Sequence, residues 1–297
     1  MPLKAAIDIG TNSTRLLLVN VRADGRLEPE VHHERLTKLG AGLDRSRILS
    51  AEAMNRVIET LIDYRTIITK YRVDEVRLFA TSATRDAVNK ADFISLIKEK
   101  TGFECRILSG EHEAKLSFLG LVSDLEIDDP FLVCDVGGGS SEFIFAKNRS
   151  MRFYKSLDIG SGRLTRQFLC SDPPTTKEVK RARESAASVL DQFAFDPVKI
   201  IGVGGSAAAL ALIAAGVSHH EAEMAHHFTL QKSTLAGIVN ELAQRSIKER
   251  KKITGLDPDR ADVLLGGALI YWEIMDYFKV DSMITSLRDL MYGIFLE

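Results

Sequence analysis

Cysteine, tryptophan and proline are scarce in this chain, and so is any excess of one charge. Three cysteines (Cys105, Cys134 and Cys170) lie far apart with no C-x-x-C pair, which argues against a disulfide framework and against a cysteine zinc site and fits a reducing cytoplasm. Lysine and arginine number 39 against 41 acidic residues, a formal charge of -2. That balance is not that of a protein built to coat nucleic acid or a membrane surface, although it leaves room for a local basic path. Long apolar runs are missing too. The longest, "AAALALIAAG" at 207–216, is about half of what a bilayer requires, and the opening "MPLKAAIDIG" carries no cleavage signature. Neither nucleic acid nor membrane is therefore expected as a partner.

What is present is an ordinary globular composition, 45% hydrophobic and 27% charged over 297 residues. That length favours two domains of about 120–170 residues each. Strands are expected at 4–9, 14–22 and 27–36, with an Asp24-Gly25 turn, as an antiparallel meander. A helix starts behind a Ser50 N-cap, with Met54, Val57, Ile58, Leu61 and Ile62 at helical spacing. Strand "EVRLFAT", helix "DAVNKADFISLIKEK", strand "ECRIL" and helix "EHEAKLSFLGLVSD" then alternate, an α/β pattern. The acidic stretch "SDLEIDDP" at 123–130 reads as the boundary, giving domains 1–124 and 125–297 with the final helix packing back onto the first. The second half opens with another hairpin, reaches strand "KIIGVGG" and is mostly helical thereafter.

One unit occurs twice. "AIDIGTNSTRLLLV" (6–19) and "VCDVGGGSSEFIFA" (133–146) align without a gap, Asp8 over Asp135, Gly10 over Gly137, Ser13 over Ser140 and Arg15 over Glu142, at a constant offset of 127 residues. In each, an apolar strand ends on an aspartate and is followed by small turn residues: Gly10, Thr11, Asn12 and Ser13 in the first, Gly137, Gly138, Gly139, Ser140 and Ser141 in the second. Such turns let backbone N–H groups approach an anion closely, and the carboxylate can hold a cation beside it. A third turn, "GVGGSAAAL" at 202–210, places Gly204, Gly205 and Ser206 at a strand-to-helix junction, where the helix dipole favours an anion. Two loops of the first kind facing each other across a cleft would grip a phosphate from both sides.

These turns are similar to the phosphate loops of the actin, heat-shock ATPase and sugar-kinase superfold. Within it the chain closely resembles the exopolyphosphatase and guanosine pentaphosphate phosphatase family, through "DIGTNSTRLLLV", "ATSATRDAVN", "ILSGEHEAKLSFLG", "DVGGGSSEF", "GSGRLT", "GVGGSAAALA" and "LDPDRADVLLGGALI" in order along the sequence. The resemblance implies two ribonuclease-H-like α/β domains with an interdomain cleft. By its motifs it implies Glu113 of "SGEHEAK" as catalytic base, Arg85 of the A-T-x-x-x-R motif as its partner in the reaction, and Asp8, Asp135 and Glu142 around Mg²⁺ or Mn²⁺. Arg85 and Arg15 would clamp phosphate oxygens. The implied reaction is Mg²⁺-assisted attack of water on a terminal phosphoanhydride of inorganic polyphosphate, short chains in particular, or of guanosine pentaphosphate.

Each residue also has a plainer reading. Glu113 fits a first-turn carboxylate stabilised by the helix dipole, and Glu111 is its nearest rival. Arg85 fits a helix-start ion pair, and Arg15 a carboxylate across its hairpin. His226 and His227 have no companion cluster at metal-ligand spacing, so a structural role is expected for them. "RSIKERKK" at 245–252 reads as a solvated helix face, with a groove lining for a polyanion as the alternative. Met291 stands where the family commonly has arginine, in "SLRDLMYG". An actin-fold ATP-dependent kinase and a nonhydrolytic sensor of alarmone or polyphosphate are the other classes these loops would suit. A homodimer is the commonest assembly for such chains, and nothing in the sequence fixes one.

Overall fold

A computed structural model describes residues 2–43, 47–125 and 127–297. The chain divides into two compact units, Met1–Ser123 with Leu290–Glu297, and Asp124–Asp289. Within the stretch expected to hold the boundary, Glu126 lies outside the described residues.

In the first unit, β1 (Leu3–Ile9), β2 (Thr14–Val21) and β3 (Leu27–Arg35) form the antiparallel meander. β4 (Glu75–Ala80) runs parallel to β1 and β5 (Cys105–Ile107) parallel to β4, giving the order β3-β2-β1-β4-β5. Because successive side chains of a strand point to opposite faces, β1 and β2 supply two cores. Ala5, Ile7, Ile9, Leu16 and Leu18 pack with α1 (Ala51–Tyr71) and α3 (Lys90–Thr101) on one face, while Ala6, Leu17 and Val19 pack with Phe79 and Leu116 on the other. That two-sided burial explains near-continuous apolar strands.

Helix α1 forms for local reasons as well. Ser50 accepts a hydrogen bond from the Ala53 N–H, Arg72 ends the helix at φ 54°, and Ala53, Val57, Leu61, Tyr64 and Ile68 line its buried face. The helix expected from Asp86 begins only at Lys90 (α3), and a separate short helix, α2 (Ser82–Asp86), precedes it. The cause is Asn89, whose side-chain amide donates to the Leu49 carbonyl (3.0 Å) and accepts from the Leu49 N–H (2.9 Å), tying the chain to another segment. Helix α4 (Gly110–Val122) lies on the opposite face, through Leu116.

The second unit repeats this plan. β6 (Phe131–Val136), β7 (Ser141–Lys147) and β8 (Ser150–Leu157) are antiparallel, and β9 (Lys199–Val203) is parallel to β6. β11 (Ser282–Ser286) is parallel to β9, and the short β10 (Thr229–Gln231) pairs antiparallel on its outer side, so the order is β10-β11-β9-β6-β7-β8. The end of this half is mostly helical as expected, with β11 as a largely buried strand that the reading did not place. "SMITS" has little apolar content of its own, and pairing with β9 fixes its state. Helices α5 (Ser161–Phe168), α6 (Thr176–Ser188), α7 (Gly204–Ala215), α8 (Lys232–Gln244), α9 (Ile247–Arg250) and α10 (Leu264–Tyr277) complete the unit. Buried on most sides, α10 places the Tyr271 hydroxyl 3.0 Å from the carbonyls of both Cys134 and Val203, pinning the ends of β6 and β9 together. None of the described helices is long and apolar enough to cross a membrane.

The last eight residues join the first unit. α11 (Leu290–Gly293) puts Leu290, Met291, Tyr292 and Ile294 into the core against Leu116 of α4. Gly293 makes this approach possible, since a Cβ there would lie 1.8 Å from the Leu116 carbonyl oxygen. Gly293→Ala should therefore destabilise the protein by roughly 1–3 kcal/mol through overpacking. The exposed Gly237 of α8, whose added Cβ would meet nothing within 4 Å, should when changed to Ala stabilise it by about 0.5–1 kcal/mol. Denaturant unfolding of the two variants should show these opposite signs.

Candidate active site

The duplicated motif is a duplicated hairpin. In the first copy the last ladder pair is Ile9 with Thr14, and the Gly10 N–H donates to the Ser13 carbonyl at 2.9 Å. In the second the last pair is Val136 with Ser141, and the Gly137 N–H donates to the Ser140 carbonyl at 3.0 Å. A Cβ on Gly10 or on Gly137 would sit 3.1 Å from that same carbonyl, so glycine lets both turns close. Asp8 lies opposite Arg15, and Asp135 opposite Glu142.

The two copies then diverge in chemistry. Arg15 donates from Nε (3.1 Å) and a terminal nitrogen (2.7 Å) to Oδ2 of the buried Asp8. The structure thus gives Arg15 the cross-hairpin carboxylate rather than an exposed position. Thr11 and Asn12 are pinned from outside: their carbonyls accept from the N–H groups of Gly40 (2.9 Å) and Lys38 (2.7 Å), and the Thr11 hydroxyl lies 2.8 Å from that of Ser82. In the second copy two carboxylates face each other across the ladder. Glu142 is buried and accepts from the Ser156 hydroxyl at 2.7 Å, while Asp135 is half-buried. Beside them the Cys134 thiol is pushed well above its ordinary range by burial and by Asp135, which leaves it inert as a nucleophile.

The glycine turn of the second copy has its carbonyls occupied. Gly137 accepts from the Ser161 N–H (2.8 Å), Gly138 from the Arg163 N–H (3.0 Å) and Gly139 from Arg163 Nε (2.8 Å). The Ser141 hydroxyl donates to the Ile159 carbonyl at 2.6 Å and holds the turn from beneath. Gly160 has to be glycine for this docking, since a Cβ would come within 2.7 Å of the Gly138–Gly139 backbone.

The third turn meets the second inside the same unit. Asp135 pairs with Val203 in the parallel ladder, and the next residue, Gly204, has φ 82°. A Cβ on Gly204 would lie 2.6 Å from Asp135 Oδ1, and one on Gly205 would lie 2.4–2.5 Å from the guanidinium of Arg260. Ser206 is buried and close to Gly267. A carboxylate, a helix N-terminus without acidic residues in its first turn and an arginine are thereby assembled around two glycines. Arg260 escaped the sequence reading. It lies in "LDPDRADVLL", a stretch noted without a role for any residue, and the only local signal is the turn Pro258–Arg260, capped by Asp257.

In the first unit Glu113 and Arg85 are brought together from α4 and α2. Ser109 caps α4 by accepting from the His112 N–H at 3.2 Å, and the Glu113 N–H bonds the Ser109 carbonyl at 2.9 Å. Glu113 is buried while Glu111 is exposed, which separates the two rivals. One terminal nitrogen of Arg85 donates both to Glu113 Oε1 and to the Leu108 carbonyl (3.1 Å). Burying a carboxylate is costly unless it is paired, so this arginine holds Glu113 charged and in one orientation. Met291, by contrast, is buried among apolar residues of this unit, so the arginine expected at its position is replaced by core.

Similarity searches bear on this geometry. A family model described as the Ppx/GppA phosphatase family matches residues 7–297. The chain belongs to that family. Exopolyphosphatase 2 of Mycobacterium tuberculosis is 34% identical over 99% of this chain and 97% of its own length. A bifunctional 3-dehydroquinate synthase/phosphatase of Fusobacterium nucleatum is also 34% identical over 99% of this chain, which spans only 46% of that longer protein. The solved structure of the Aquifex aeolicus PPX-GPPA enzyme is 30% identical, covers 100% of this chain and 99% of that chain, and superposes with a TM-score of 0.85. The two units are thus actin-like α/β domains, and the Ppx/GppA member described here is a phosphoanhydride hydrolase. The kinase and sensor readings give way to that membership.

Substitution at the third turn separates strain from displacement. Gly204→Ala forces a side chain into a left-handed backbone and against Asp135, and should cost about 1–3 kcal/mol of stability together with most phosphatase activity. Gly205→Ala pushes only the end of the flexible Arg260 side chain, and should keep the melting temperature within a few degrees while raising KM. Thermal melts with phosphate-release kinetics distinguish the two.

Proposed function

We propose that this Ppx/GppA chain is an exopolyphosphatase, removing terminal orthophosphate from inorganic polyphosphate. The observation that carries the reading is the buried Glu113 carboxylate held by Arg85. A carboxylate fixed in this way is preorganised to orient a water and take its proton, at little reorganisation cost in the reaction. Phosphate oxygens are bound by the amides of the glycine turns, whose carbonyls are engaged elsewhere in the second copy, and by Arg260 beside Gly205. Arg85 has a double task, since the guanidinium that orients Glu113 can also meet the transferred phosphoryl.

The residues present fit a hard divalent cation. Asp135 and Glu142 offer carboxylate oxygens opposite each other on one ladder, the donor type that Mg²⁺ or Mn²⁺ takes; Asp8, in the first unit, is bound to Arg15 and is less suited to hold a cation. Such an ion would offset the charge on the phosphates. Guanosine pentaphosphate presents the same terminal anhydride and is the alternative substrate; relatives named for polyphosphate hydrolysis match nearly end to end, which favours polyphosphate.

Phosphate release from short polyphosphate, guanosine pentaphosphate and ATP, each with Mg²⁺ and with EDTA, tests the assignment. Polyphosphate should give the highest kcat/KM, and EDTA should abolish release. Glu113→Gln should lower kcat by at least about 10²-fold, the scale of general-base catalysis, with substrate binding retained. Arg85→Ala should both lower kcat and raise KM. Unchanged turnover in Glu113→Gln would remove it as the base, and a higher kcat/KM for guanosine pentaphosphate would reassign the substrate.

A further inference from the structure

His226, His227 and Asp124, none of them part of the glycine turns, converge within the second unit. The Nε2 atoms of both imidazoles lie against a single carboxylate oxygen, Asp124 Oδ2, at 2.8 Å from His226 and 3.0 Å from His227. Consecutive residues on extended backbone point their side chains in opposite directions. Here His227 adopts φ 58°, a left-handed conformation uncommon for a residue with a side chain, and its ring stacks on that of His226 with centroids 3.9 Å apart. The turn is fastened to β11: the His227 N–H donates to the Thr285 carbonyl (2.8 Å), the Thr285 N–H to the Phe228 carbonyl (2.9 Å) and the Leu287 N–H to His226 Nδ1 (3.2 Å). Backbone strain is thus held in place where it brings two imidazoles and a carboxylate together.

We propose that Asp124, His226 and His227 form a binding site for a transition-metal ion of the zinc class, separate from the Mg²⁺ chemistry of the phosphate loops. The three ligand atoms lie within 4.8 Å of one another, and two imidazoles with one carboxylate leave a further position open, the donor set of many three-ligand zinc sites. Bonds of about 2.0–2.1 Å in tetrahedral geometry put neighbouring ligand atoms roughly 3.3 Å apart, so the two contacts to Asp124 need to open by only a few tenths of an ångström. A metal on Nε2 leaves the one proton of each neutral imidazole on Nδ1. At His226 this gives up the long hydrogen bond from Leu287. Arg288 also acts on His226, a positive charge that the metal–imidazole bonds have to outweigh. The exposed sides of His227 and Asp124 give the ion its entry.

The test is a Co²⁺ titration of the chelator-treated full chain in excess Mg²⁺, followed by visible ligand-field absorption and by competition with Zn²⁺. One Co²⁺ per chain should bind and be displaced by Zn²⁺. Asp124→Asn and His227→Gly should each weaken binding by roughly tenfold or more. Glycine accepts the left-handed backbone of position 227, so that variant should melt no lower than wild type without metal, separating lost ligation from lost folding. His219→Ala, in the neighbouring histidine pair whose rings lie 4.0 Å apart, should bind as wild type does. Absence of Co²⁺ bands in the wild type, or equal binding by His227→Gly, would overturn the proposal.

Discussion

Closure of a strand pair by one backbone hydrogen bond, from a glycine N–H to the carbonyl three residues on, is the constraint on which the rest of this molecule depends. It occurs in both units with the same register and nearly the same length, 2.9 Å at Gly10 and 3.0 Å at Gly137. In each it follows an aspartate at the end of a central strand whose neighbours bury it on both faces. The strand has to be apolar to be central, and the turn has to be small to close. The charge therefore falls at the one place where the buried ladder reaches its end.

From that shared start the two copies took different electrostatic roles. The first spends its aspartate on Arg15, an internal ion pair whose partly buried geometry (side chains 6% and 16% exposed) stiffens the hairpin. The second sets Glu142 opposite Asp135, the carboxylate pair to which the proposed function assigns a cation. Matching backbone with opposite charge at one cross-strand position makes the first hairpin self-neutralising and, under the proposed function, the second a receptor. The third glycine turn is coupled to the receptor by the parallel register of β6 and β9, which leaves Asp135 against Gly204 with no room for a side chain between them.

Much of this was legible before any coordinates. The gapless alignment of 6–19 with 133–146 carried the duplication, because a turn needing small residues and a strand needing apolar ones leave a strong local imprint. The Ser50 cap and the periodicity after it carried α1. What escaped was set by distant parts of the chain. β11 is a strand because β9 lies beside it. Helix α2 is separated from α3 because Asn89 reaches Leu49. Arg260 becomes part of the glycine turn through packing that its own neighbours do not announce. The choice between Glu111 and Glu113 rested on resemblance at the sequence level and gained a physical basis from burial and from Arg85. The two histidines, read as structural for want of a third group, acquired one in Asp124, 102 residues earlier in the chain.

The central claim is that the glycine turns bind phosphate through their amides. Glycine-selective nitrogen labelling with amide chemical-shift mapping, on adding tripolyphosphate with Mg²⁺, tests it most directly. The amides of Gly138, Gly139, Gly204 and Gly205 should shift strongly while that of Gly237 stays in place. Unmoved turn amides, in a protein that still hydrolyses the compound, would contradict the account.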